Sequence, residues 1–121
     1  MPIEFEQSIP IGEGEHGECG CDFTRRLKTT ETLTTPLTVL EIEKAPSSVL
    51  PLVYVASTDL TLSDKGINSA VIEIARKTIA INKAVTFTVS EQKKGYTYRI
   101  RVTVDTSLNN TIIRDIILPC I

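Results

Sequence analysis

Nine residues near the C-terminal end leave this chain little choice of secondary structure. Tyr96, Tyr98, Ile100, Val102 and Val104 fall on one side of an extended backbone, and Thr97, Arg99, Arg101 and Thr103 fall on the other. That two-residue period belongs to a half-buried β-strand. An α-helix would scatter the same apolar side chains around its circumference. Ile112, Ile113, Ile116, Ile117 and Leu118 form a second apolar arm with a less strict pattern. Between the arms, residues 105–110 (Asp-Thr-Ser-Leu-Asn-Asn) tolerate turn geometry, so the two arms read as an antiparallel hairpin.

The same reading upstream adds further extended segments. Pro36 opens a strand over residues 37–43, at a position where a missing N–H costs no ladder bond, and residues 45–48 break it. Residues 50–56, with Pro51 inside, read as an edge strand or irregular crossover. Leu60-Thr61-Leu62-Ser63 forms a short strand ahead of a turn at Asp64-Lys65-Gly66. Residues 70–81 match both helical and alternating spacing, and their β-branched content favours strand. Val85, Phe87 and Val89 alternate with threonines, and residues 91–95 turn into the final hairpin. About seven short strands in roughly a hundred residues predict an all-β chain, an immunoglobulin-like β-sandwich. Gly95-x-x-Tyr98 is similar to the tyrosine corner of such folds, a role Tyr96 fills equally well.

At 121 residues the chain suits one domain. Aromatics make up only 5% and there is no Trp, so the interior falls to Ile, Val and Leu. Residues 1–22 differ from the rest: Gly alternates with Glu from Gly12 to Glu18, and little there is apolar enough to offset the entropy of ordering. The expected organisation is a flexible arm over 1–22 and a sandwich over 23–121. The arm is a means of gripping a neighbouring subunit, so the chain is expected to be oligomeric in its assembly.

A net charge of −2 and short, dispersed basic clusters supply no electrostatic footprint for nucleic acid. No apolar run reaches the ~20 residues needed to cross a membrane, and the first residues do not resemble a signal peptide.

One constellation invites chemistry: His16, Cys19 and Cys21, with Cys120 at the far end. Imidazole and thiolates suit zinc or iron, and three Cys with one His complete a tetrahedral set. Three readings stand side by side here: a metal site, a disulfide between Cys120 and Cys19 or Cys21, and inert buried thiols. No catalytic residues are expected, because the single His sits in the arm and no nucleophile elbow accompanies it. Arg99 and Arg101, on the outward side of their strand, are candidates for a docking face.

Residues 23–121 resemble bacteriophage structural proteins with Ig-like domains, notably small tail-fibre adaptors. The resemblance runs through Asp22-Phe23-Thr24-Arg25-Arg26-Leu27, the Thr-rich segment after it, Leu60-Thr61-Leu62-Ser63, the strand from Gly95 to Val102, Thr106 and the final apolar strand. It implies a non-enzymatic virion protein, assembled in the host cytoplasm, that docks tail fibre, baseplate or capsid components together. A capsid decoration protein is the alternative within that class, and a cellular metal-binding or redox module is the alternative outside it.

Overall fold

The computed structural model describes residues 4–5, 12–34, 39–74 and 76–121. The hairpin expected at the C-terminal end is its central feature. Strand β9 (Tyr96–Asp105) pairs antiparallel with β10 (Thr111–Pro119), from Asp105 opposite Thr111 to Thr97 opposite Pro119. In the connecting turn Asn109 adopts φ 61°, a left-handed conformation that asparagine tolerates well. The Thr106 N–H closes the turn on the Asn110 carbonyl.

On its other side β9 pairs antiparallel with β3 (Val39–Pro46), which in turn pairs with the short β4 (Val55–Ala56). The resulting sheet has the order β10-β9-β3-β4. The expected break at residues 45–48 comes later than the sequence suggested. Ala45 and Pro46 remain in register with Thr97 and Tyr96, and the chain turns at Ser47. Pro36, read as the opener of this strand, lies outside the described residues.

A second sheet has the order β2-β8-β5. It consists of β2 (Gly17–Asp22), β8 (Ala84–Ser90) and β5 (Thr61–Ile67), all paired antiparallel. Strand β2 takes in the last six residues of the segment expected to be an arm. It is held there because Cys19 and Cys21 meet Phe87 and Val85 across the ladder and share their burial. Asp64-Lys65-Gly66, expected as a turn, is instead a bulge inside β5 with Asp64 at φ 52°. An extra residue is absorbed there without ending the strand.

The segment with mixed periodicity is extended, but as a hairpin of β6 (Ile72–Ile74) and β7 (Lys77–Ile79) in place of one strand. Strand β1 (Glu4–Phe5) joins it in parallel, making a third, small sheet β1-β6-β7. Buried Asn68 holds the base of that hairpin. Its amide donates to the Ala70 and Ala80 carbonyls and accepts from the Lys83 and Ala84 N–H groups, so its polar capacity is fully used. Ten strands are present among the described residues, several only two or three residues long.

One core joins the two main sheets. Val85, Phe87 and Val89 from β8 and the two β2 cysteines pack with Tyr98, Ile100, Val102 and Val104 from β9 and Ile112, Ile116 and Leu118 from β10. Two antiparallel sheets facing across a shared aliphatic core form the arrangement of a β-sandwich. Full burial of a side chain such as Ile100 contributes about 2–3 kcal/mol. Ile72, Ile74, Ile79 and Ala84 make a smaller cluster under the third sheet.

Candidate functional site

Of the residues singled out for chemistry, the three cysteines join one core cluster and His16 stays at the surface. Cys19 and Cys21, two apart on β2, both face the core and are buried, whereas His16, just before the strand, is exposed. Cys120 is buried in the same cluster, where its N–H bonds to the Tyr96 carbonyl at 2.9 Å. All three are free thiols. Among the described residues no three His, Cys, Asp or Glu side chains stand together as a metal-holding group.

Burial also sets the thiol chemistry. Removal from water pushes Cys19 up to about 11 and Cys21 up to about 12, and it raises Cys120 as well. Protonated thiols packed among Val, Phe and Ile are small apolar residues.

Arg99 and Arg101 do stand on the outer side of the four-stranded sheet, and each has carboxylate company. Arg99 donates to Glu43 Oε1 from Nε at 3.1 Å and from Nη2 at 2.7 Å, and its guanidinium lies 4.3 Å from the centre of the Tyr54 ring. Arg101 makes a two-pronged contact with Asp115, 3.0 and 3.2 Å long. Glu41 is opposite Arg101 on the other side, so the arginine is flanked by acids across three strands. The result is a polar stripe in which each arginine is paired with a carboxylate.

Sequence reasoning did not foresee where the exposed apolar surface lies. Val49, Leu50, Val53 and Val55 are 55%, 80%, 67% and 56% exposed, all in the stretch leading into β4. At the opposite edge of that sheet, Leu108, Ile113 and Ile121 are also exposed. The signal for the first group was present: residues 49–55 are apolar or aromatic throughout but lack the strict alternation of a buried strand.

Two polar anchors also escaped notice. Buried Glu31 accepts hydrogen bonds from Thr106 Oγ1, the Lys28 N–H and Asn110 Nδ2, tying the segment after the 3₁₀ turn Thr24–Arg26 to the β9–β10 turn. Gln92, also buried, donates from Nε2 to the carbonyls of Gly12 and Glu15 at 2.6 and 2.7 Å. Glu13 accepts from the Lys94 N–H at 2.8 Å, so residues 12–15 are fastened to the turn before β9. Of the two tyrosines read as candidates for a corner, it is the Tyr98 phenol that accepts from a backbone N–H, that of Lys93. Tyr96 instead packs under the Lys44 ammonium, 4.8 Å from its ring centre.

The chain matches no family model, no curated protein and no solved structure. Its function therefore has to be argued from its own surface and fold.

Proposed function

We propose that this chain is an immunoglobulin-like sandwich serving as a non-enzymatic docking protein of a bacteriophage particle, joining a tail fibre to the tail or baseplate. Two features support the fold reading. In immunoglobulin lettering, β10-β9-β3-β4 corresponds to G-F-C-C′ and β2-β8-β5 to B-E-D. Tyr98, near the start of the F-equivalent strand, bonds back to the backbone five residues upstream, as a tyrosine corner does. The departure is β1, which pairs in parallel with β6 of the small sheet.

The observation that carries the functional reading is the distribution of exposed aliphatic side chains. Most of them gather at the two margins of one sheet, Val49, Leu50, Val53 and Val55 at β4 and Leu108, Ile113 and Ile121 on or beside β10, while Val71 and Ile81 lie by the small β6–β7 hairpin. A connector needs two separated contact surfaces, and apolar side chains at opposite sheet edges supply them. Between them, Arg99 and Arg101, each paired with a carboxylate, give a polar face.

Mass spectrometry and cryo-electron microscopy of particles purified from the source culture test this. The expected result is this chain at the fibre–tail junction, in a copy number set by tail symmetry. Finding it on the head lattice would replace the adaptor with a decoration protein, and its absence from the particles would overturn the reading.

A further inference from the structure

The outer strands of the two main sheets are not protected equally. On β10, Arg26 Nη1 reaches the Ile113 carbonyl at 3.5 Å, so that carbonyl faces away from β9 and is covered. Arg114 lies on the same strand and donates to the Asp22 carbonyl. Strand β5 carries a bulge with exposed Asp64 and Lys65, and β2 lies against β1 and β6 of the small sheet. Charges, bulges and covering elements are the usual means by which sheets discourage edge-to-edge pairing.

Strand β4 is guarded only by being two residues long and by Pro51 ahead of it; among the described residues it carries no charged side chain, bulge or covering strand. The fourteen residues from Ala45 to Thr58 are the longest stretch of the sequence without a charged side chain. The Ser57 N–H bonds to the Ile42 carbonyl, so the alternation of the ladder turns the backbone groups of Ala56 outward. Beside this open edge lie Val49, Leu50, Val53 and Val55, each more than half exposed.

We propose that two copies of this chain join edge to edge along β4, with residues 49–56 of one against the same residues of the other about a two-fold axis. Charge selects the occupant. Of the ionic groups bordering the run, Lys44 is paired with Asp59 and Arg99 with Glu43, and only Lys93, 3.7 Å from the same Asp59 and 61% exposed, is loosely held. A partner bringing charge to this edge would bury it without a counter-ion. A second copy brings an uncharged run of the same shape, and a two-fold contact requires a surface that complements itself. This inference does not rest on the particle assignment, because the interface forms between purified chains.

Sedimentation velocity of the purified full chain over a range of concentrations tests it, with Val53→Glu and Ile113→Glu as variants and circular dichroism to verify folding. Both side chains are exposed, so both variants keep the β spectrum. The wild type is expected to pass from monomer to dimer as concentration rises, Val53→Glu to weaken the dimer roughly tenfold or more, and Ile113→Glu to dimerise like the wild type. Should Val53→Glu misfold, Val55→Lys replaces it. A wild type that stays monomeric throughout overturns the proposal, even if it captures another protein. So does a dimer unchanged in a folded β4 variant, or one lost only in Ile113→Glu.

Discussion

The phenol oxygen of Tyr98 accepts a 2.8 Å hydrogen bond from the backbone N–H of Lys93, five residues upstream. The ring is fully buried in the core shared by the two main sheets, so its one polar atom fastens the turn before β9 to that core. Residues 12–15 are in turn fastened to this turn by Gln92 and Lys94. The three contacts link the N-terminal end of the sandwich to its most regular strand.

Removing the Tyr98 hydroxyl should therefore cost more than removing that of Tyr96. Tyr98→Phe leaves the Lys93 N–H without its partner, and the expected loss is about 1–2 kcal/mol in urea unfolding with an unchanged slope. Tyr96→Phe keeps the ring beneath Lys44 and should stay within about 0.5 kcal/mol of wild type. Equal losses in the two variants would count against the role given to Tyr98.

Glu31 gives the chain an acid limit. The hydrogen bond from Thr106, then those from Lys28 and Asn110, favour its charged form and lower it from an ordinary value of 4.5 to about 2. The unfolded chain takes up this proton first as pH falls. The stability tied to Glu31 is thus fully present above about pH 5 and is lost progressively as pH drops from 4.5 towards 2. Melting temperature should fall across that interval, and less steeply in Glu31→Gln. Asp59, lowered by Lys44, contributes in the same direction, so the flattening is partial.

Gln92 anchors the residues before β2. Gln92→Ala strands two carbonyl groups, those of Gly12 and Glu15, and opens a space where a buried amide stood. The expected cost is about 1–3 kcal/mol. Amide exchange at Glu15, whose N–H bonds to Gly12 at 3.1 Å, should accelerate well before exchange at β9 does. Uniform acceleration throughout the sandwich would show that Gln92 acts on the fold as a whole.

The three thiols should be silent in the native protein. Burial keeps Cys19 and Cys21 protonated up to about pH 11 and 12, and it raises Cys120 too. A disulfide-exchange reagent at pH 8 should label none of them in minutes, and all three at once in denaturant. Prompt labelling of the folded chain would place at least one sulfur at the surface. Cys21→Ser, which puts a hydroxyl among apolar neighbours, should destabilise by about 1–3 kcal/mol.

The sequence by itself determined the extended character of this protein. The alternations over 96–104 and 85–89 each became a strand with the expected face buried, except at the start of β9 where Thr97 is buried and Tyr96 half-buried, because the period of a side-chain pattern is a local property of the backbone. The hairpin turn at 105–110 was legible for the same reason. Tertiary structure decided what covers what. Gly17–Asp22 reads as a Gly-rich tail until β8 lies beside it and Phe87 and Val85 meet its cysteines. Residues 64–66 look like a turn until a straight partner strand makes them a bulge. Residues 49–55 are apolar enough to be core, yet their place at the margin of the four-stranded sheet leaves them in water. Burial depends on the segment that packs across from a residue, and local periodicity carries no record of which segment that is.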